Sequence, residues 1–449
     1  MTIQILTAIG DPTAEAELAA TLATSAPDLE VVRRCVDLAD LLATAAAGRA
    51  RAVVLAADLR RLDREAISRL GFAGVAVVGL AASPDDSAAQ RLRQLGVERV
   101  VTADGVAVAV RLAVDAFTAG VTASQAPQAQ EPPQGLGRVI AVWGPAGAPG
   151  RTTVAVNLAA ELARLGRPVL LVDADTYGGA VAQLLGVLDE APGLAAACRF
   201  ANAGRLDRAQ LVTVAQELSP GLCVLTGIGR AERWPEIRAS SFTEVLRVAR
   251  DVASYVVVDA GFCLEQDEDL TYDTTAPHRN GATLAALAAA DVVVAVAGAD
   301  PVGLGRYLRL FPQLSELTAV APVTVVNRVR ERVLGPGDPG RQATSALVRY
   351  AGIEAPVVVP DDPAAVDGAT AVGRTLAEQA AKSAVRLAIR GLALRIAEGT
   401  YRAPGEPPTG HAPRRDRRRG AASGLRRTSG RGGSRRSRRR RRESESPGR

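Results

Sequence analysis

The chain is 449 residues long, 47% hydrophobic and 23% charged. That is enough for about three folded units at roughly 150 residues each, and too apolar for disorder throughout. Its 54 basic and 48 acidic residues give a formal charge of +6, and the four cysteines (Cys35, Cys198, Cys223, Cys263) include no CxxC pair, which argues against a zinc ribbon or a disulfide framework and for reduced thiols in the cytosol.

All the basic residues but Lys382 are arginine, and the aromatic side chains are limited to 6 Phe, 6 Tyr and 2 Trp, so the cores are aliphatic and alanine-rich. The N-terminus has no basic segment and reaches Asp11 after a short apolar run, so it does not read as a signal peptide. Residues 1–121 alternate β-type runs at 3–8, 29–36, 52–57, 74–79 and 97–101 with helical stretches such as 14–23 and 87–95. This alternation predicts a parallel sheet covered by helices on both faces. Residues 122–137 carry no apolar period and read as a linker.

A second α/β alternation fills 138–400, with strands predicted at 139–143, 168–172, 222–226, 255–258, 292–296, 323–326 and 355–359. The apolar run 281–298 is interrupted by Asp291 and reads as a helix followed by a buried strand, not as a membrane span. Residues 374–397 read as one helix, with Glu378, Lys382, Arg386 and Arg390 in a narrow polar stripe. So narrow a stripe suits a helix packed on its own domain better than one lying on a membrane surface. From Arg402 onward 17 arginines face only Glu406, Asp416, Glu443 and Glu445, a net charge of +13 that leaves −7 for the body. Residues 401–449 are therefore expected to be a disordered basic tail.

The strongest chemical signal lies between the predicted strand 139–143 and the helical run that follows it. The stretch 144–152 reads as a phosphate loop of the GxxxxGK[ST] kind, with one residue more between Gly144 and Gly150 than that pattern and Arg151 in the lysine position. Gly147, Ala148, Pro149, Gly150, Arg151, Thr152 and Thr153 form the candidate cradle, in which backbone N–H groups and a helix N-terminus attract an anion. The Thr152 hydroxyl is placed to ligate Mg²⁺. Arginine keeps the charge of lysine but brings a planar fork where a compact ammonium is usual.

With this loop on the page, 138–400 resembles the ParA/MinD family of deviant P-loop ATPases. The segment Leu170-Leu-Val-Asp-Ala-Asp-Thr-Tyr-Gly-Gly is similar to that family's DxD switch, and Tyr255-Val-Val-Val-Asp-Ala-Gly to its Walker B strand. Asp291-Val-Val-Val-Ala-Val-Ala-Gly-Ala-Asp-Pro, Val325-Val-Asn-Arg and Val358-Val-Pro-Asp-Asp-Pro follow in the family's order. The resemblance implies ATP and Mg²⁺ as cofactors and a nucleotide-dependent homodimer. Asp173 and Asp259 would hold Mg²⁺ through water, and Asp175 would line up the attacking water beside the catalytic Arg151. Asn327 and the turn Pro360–Asp362 would meet the adenine. The alternative for each aspartate is a helix N-cap or a strand-end carboxylate. The family loop opens with a lysine that reaches across the dimer; Ala146 stands there, so slow or absent ATP hydrolysis is expected.

The first 121 residues, placed before such a module, resemble the receiver-like domain of CpaE/TadZ pilus-localisation proteins. Asp11 and Asp58 are present, but the strand 97–101 is followed by Thr-Ala-Asp with no lysine. A pseudo-receiver that docks a protein partner is the expectation. Glu265, Asp267, Glu268, Asp269 and Asp273 read as a solvated loop, His278 and His411 are isolated, and Trp234-Pro235-Glu236 is expected to anchor a helix start. The tail, with Arg438–Arg442, suits a polyanion, nucleic acid first and an anionic leaflet second.

The sequence thus predicts two α/β domains and a tail: a flavodoxin-like receiver domain, then a P-loop NTPase parallel sheet. The function expected is that of a cytoplasmic positioning ATPase at most peripheral to the membrane, serving septum placement, chromosome partitioning or pilus localisation. The rival is a non-hydrolysing scaffold with a degenerate loop.

Overall fold

The computed structural model describes residues 2–83, 85–120, 136–188, 191–266 and 278–400. Most of the predicted linker, the tail, and Asp267, Glu268, Asp269 and Asp273 lie outside the described residues.

Five short strands build the first sheet: β1 (Ile3–Ala8), β2 (Leu29–Arg34), β3 (Ala52–Ala56), β4 (Ala76–Leu80) and β5 (Arg99–Val101). All pairings are parallel and the order is β2-β1-β3-β4-β5, that of a flavodoxin-like doubly wound sheet. Alternate residues feed separate cores on the two faces, Val53 and Leu55 on one, Ala52 and Val54 on the other. Four aspartates that follow strands or turns spend their side chains on helix starts. Asp11, Asp37, Asp63 and Asp86 each accept a first-turn N–H, of Thr13, Asp40, Ala66 and Ala89.

The second sheet contains β6 (Arg138–Trp143), β7 (Val169–Ala174), β8 (Gln216–Ser219), β9 (Leu222–Leu225), β10 (Tyr255–Ala260), β11 (Val292–Gly298), β12 (Val323–Val329) and β13 (Val357–Pro360). The order is β13-β12-β11-β6-β10-β7-β9-β8, parallel except for β8 at one edge. β6, β7, β10 and β11 are almost wholly buried, which their continuous Val/Ile/Leu/Ala runs anticipate. Val139, Ala141 and Trp143 enter the core on one face of the sheet, Ile140 and Val142 that on the other.

The edge strand β8 is absent from the sequence-based expectation, since Gln-Glu-Leu-Ser has no apolar run and owes its pairing to the neighbouring β9. The segment 281–298 divides as expected into a helix (Gly281–Ala288) and β11, and no described helix is long and apolar enough to cross a membrane. Trp234 lies in a 3₁₀ turn (Ala231–Glu236) and packs against the core, shortly before the helix Ala239–Val252.

One expectation fails in the C-terminal segment. Residues 374–397 are two helices, Leu376–Gln379 and Ala384–Ala397, each with its own N-cap, Thr375 and Ser383. The polar stripe breaks with them, because Arg386 is buried and its Nε donates to Glu161 Oε1 at 2.7 Å. The second helix packs Val385, Ile389, Leu392, Ala393 and Ile396 into the core that includes Ile140 and Val142, so it does pack on its own domain.

Polar contacts join the two sheets' helices. Arg64 pairs with Glu244 at 3.0 Å, Gln94 donates to the Leu206 carbonyl at 3.1 Å, and Arg238 meets Glu65.

Candidate functional site

Parallel α/β sheets bind ligands beyond the carboxyl ends of their strands, where the order reverses. In the second sheet β6, β7 and β10 converge there, and the glycine loop leaves β6 at Trp143. The loop is pressed close to its neighbours. A Cβ at Gly144 would run into the Val296 carbonyl, and one at Gly150 into the Asn327 amide.

Gly147 (φ +106°), Ala148 (φ +51°) and Gly150 (φ +94°) are all left-handed, a succession that turns backbone N–H groups inward into an anion nest. Ala148 is a residue with a Cβ in this region, and such strain is tolerated where the surroundings hold it. Helix Arg151–Arg164 starts directly from Gly150, which provides no side-chain cap. Val154 N–H already bonds the Gly150 carbonyl, while the N–H groups of Arg151, Thr152 and Thr153 have no intrahelical acceptor and face the loop.

Three carboxylates sit behind this nest. Asp173 and Asp259 are adjacent partners on β7 and β10, 2% and 1% exposed. Asp173 accepts from the Asp175 N–H at 3.3 Å and the Val181 N–H at 3.1 Å. Gly179 and Gly227 crowd it so closely that a Cβ at either would strike its carboxylate. Burial pushes Asp173 up to about 7 against those two N–H bonds. Neither carboxylate oxygen of Asp259 has a hydrogen-bond partner. Burial first, and the charge of Asp173 second, hold its pKa well above the usual carboxylate range; the Thr152 hydroxyl is the largest opposing influence.

An unpartnered buried carboxylate is costly unless a cation answers it. Asp259 with Thr152 and Asp173 fits Mg²⁺, a hard ion that takes one or two protein carboxylates, waters and substrate phosphates instead of a full protein cage. Among the described residues, no three His, Cys, Asp or Glu side chains converge into such a cage.

Arg151 and Asp175 meet each other. Arg151 Nη2 donates to Asp175 Oδ2 at 3.0 Å, and Nη1 to the Gly144 carbonyl at 3.2 Å, with the guanidinium 5.9 Å from the Phe262 ring. Asp175 also accepts from the Tyr177 N–H at 2.9 Å. Asn327, two residues before the end of β12, donates from Nδ2 to the Pro149 carbonyl at 2.8 Å, so that amide proton supports the loop. Pro360 pairs across to Val329, and Asp362 caps the helix Pro363–Ala371 through the Ala365 N–H. Asn327, Pro360 and Asp362 thus lie toward the carboxyl ends of β12 and β13, the side of the sheet on which the loop leaves β6.

Sequence reasoning missed Arg306, whose Nη1 donates to the Ala146 carbonyl at 3.2 Å across 160 residues of chain. It also missed a rim in which Tyr177 packs on Phe262 (4.7 Å between ring centroids) and under Arg279, 3.9 Å from the Tyr177 ring. None of these residues has a spacing signal, since each contact is made between distant segments.

In the first sheet, Asp58 accepts the Gly10 N–H at 3.1 Å while Asp11 is occupied as a helix cap. The position after β5 is Thr102. The two aspartates expected of a receiver are both tied to backbone N–H groups.

Comparisons with known proteins bear on the loop segment. The family described as "ParA: NUBPL iron-transfer P-loop NTPase" matches residues 135–201. The iron-sulfur cluster carrier protein of Deinococcus radiodurans is 52% identical over 52 residues, 12% of this chain and 15% of the relative. Its namesake in Bacillus subtilis is 50% identical over 48 residues, 11% and 14%. The chain therefore spans only about one-seventh of the length of these curated relatives.

Among solved structures, the Pyrococcus furiosus cell division ATPase MinD is 21% identical, with 59% of this chain and 99% of that chain covered and a TM-score of 0.46. A ParA family ATPase from Chlorobium tepidum is 20% identical, covering 58% and 99%, at a TM-score of 0.49. Taken with the strand order and the nest after β6, the match at 135–201 shows that this chain carries a parallel-sheet P-loop NTPase fold with a ParA-like phosphate loop.

Proposed function

We propose that this protein is an ATP-binding positioning factor of the ParA/MinD kind, with slow or absent hydrolysis. The single observation that carries the reading is the orphaned carboxylate of Asp259, buried beneath the nest beside Thr152. Backbone N–H groups of 147–153, Pro149 excepted, would receive the phosphates. Thr152 and Asp259 would hold Mg²⁺, with Asp173 through water, and the ion would neutralise charge on the phosphate oxygens. Asn327 on β12, Pro360 at the end of β13 and Asp362 just beyond it would meet the base.

Hydrolysis is the weak part of the machine. Asp175, which would orient the attacking water, has its charge bound to Arg151. Ala146 brings no cation. The non-hydrolysing scaffold is therefore a second reading favoured by a definite contact, the Arg151–Asp175 ion pair, whose side chains are 12% and 6% exposed.

In either reading the nucleotide would favour a homodimer and the first α/β layer would dock a protein partner. The tail would contact nucleic acid or an anionic leaflet at the cytoplasmic face. The iron-sulfur carriage named for the curated relatives finds less support here. Cluster ligation takes several thiolates in one place, whereas Cys35 and Cys198 are buried on separate elements and the sequence has no CxxC.

Purified protein decides between the readings. Tight Mg·ATP binding with measurable phosphate release, lost in Asp175→Ala, supports the ATPase. Tight binding without release supports the scaffold, and the absence of any ATP binding overturns both.

A further inference from the structure

We propose that Arg306 is the cation this chain turns toward the phosphates, a phosphate-contacting residue outside every motif of the loop. The proposal rests on the nucleotide reading above and deepens it.

Arg306 lies on the helix Pro301–Leu317, which is fixed from its first turn. Asp300 accepts the N–H groups of Val302 and Gly303, both at 3.0 Å, and the Tyr307 hydroxyl shares a 2.7 Å hydrogen bond with Thr324 inside the core. Leu304 and Tyr307 are buried on either side, so the backbone that presents Arg306 is held firmly while its side chain stays exposed. The guanidinium reaches the Ala146 carbonyl and covers Gly147 so closely that a Cβ there would collide with it. A residue other than glycine at 147 would displace the arginine from the mouth of the nest.

The charges around the loop explain why this cation matters. Arg151 has one guanidinium nitrogen on Asp175 and another on the Gly144 carbonyl. Asp173 and Asp259 add only negative charge as they ionise. Arg306 has no ion-pair partner among the described residues, and one hydrogen bond leaves most of its five N–H donors free. It is therefore an unneutralised cation at the nest among the described residues, and an arginine fork suits phosphate oxygens. Because it comes from the same chain, its contact needs no second copy.

The test uses the full-length protein and Mg·ATP, with adenosine as the probe that lacks phosphate. Calorimetric titration of wild type, Arg306→Ala, Arg306→Lys and Arg309→Ala compares the affinities, Arg309 being an exposed arginine on the same helix. The expected result is an approximately tenfold loss of ATP affinity in Arg306→Ala and partial recovery in Arg306→Lys. Arg309→Ala is expected to match wild type, and adenosine affinity to stay the same in all four. ATP affinity within twofold of wild type in Arg306→Ala overturns the proposal and leaves the nucleotide reading standing. An equal loss for ATP and adenosine overturns it too, since that pattern marks a collapsed loop. Wild type that binds no ATP overturns both.

Discussion

On the nucleotide reading, Asp259 is a residue that burdens the protein until its ligand arrives. Its two oxygens lie in the core with no hydrogen bond of ordinary geometry, the Thr152 hydroxyl being the nearest answering donor, and Asp173 stands opposite on the next strand. Asp259→Asn removes a group whose charged form burial disfavours, so it is expected to raise the melting temperature of the nucleotide-free protein while abolishing the Mg²⁺ dependence of ATP binding. Differential scanning calorimetry and binding titrations check the two halves separately.

The pH dependence follows from Asp173, whose folded pKa of about 7 lies above its ordinary 3.8. The native state then holds a proton that the unfolded state has released. Its contribution to stability therefore falls as pH rises from about 4 to about 7, and levels off above that. Mg²⁺ needs the ionised carboxylates, so Mg²⁺-dependent ATP affinity is expected to rise over the same interval. Melting curves and titrations between pH 5 and 8 should move in opposite directions. Asp175→Asn releases Arg151 from its ion pair, and ATP affinity is expected to increase severalfold while any turnover disappears; a fall in affinity would refute this view of the pair.

At the scale of elements, the buried pair Arg386–Glu161 fastens the C-terminal helix to the helix that begins in the phosphate loop. Glu161 lies on Arg151–Arg164 and Arg386 on Ala384–Ala397, with their side chains 4% and 9% exposed. Removing one partner strands a buried charge. Arg386→Ala is expected to cost about 3–5 kcal/mol in urea unfolding, and the double change Arg386→Met with Glu161→Leu much less.

This region also marks the boundary of what the sequence discloses. β6, β7, β10 and β11 could be read directly, because strands buried on both faces are continuous apolar runs. The break between Leu376–Gln379 and Ala384–Ala397 could not, because Ala380, Ala381 and Lys382 all suit a helix. Side-chain contacts decide it, one between distant segments and one local: the Leu376 N–H goes to Asn157 Oδ1 at 2.8 Å, and Arg386 reaches the Ala381 carbonyl at 2.6 Å. The site divides in the same way. Gly147, Gly150, Thr152, Asp173 and Asp259 belong to readable motifs, whereas the engagement of Arg151 with Asp175 and the presence of Arg306 arise only when distant segments meet.

For the whole molecule, the charge of +6 is an average over unlike parts, −7 up to residue 401 and +13 after it. If the tail supplies the polyanion contact, protein ending at Thr400 is expected to lose most of its affinity for duplex DNA or anionic vesicles. The full-length protein should show a steep decline with added salt. Equal retention of both proteins on either surface would refute that role.

The central claim is that the strand ends of β6, β7 and β10 form a Mg²⁺-dependent nucleotide site. Equilibrium titration of ATP into full-length wild type and Asp259→Asn, each with Mg²⁺ and with a chelator, tests it most directly. The account predicts saturable one-to-one binding to wild type that weakens strongly on chelation, and chelator-insensitive, weaker binding to Asp259→Asn. Binding by wild type that is indifferent to Mg²⁺, or no saturable binding at all, would contradict it.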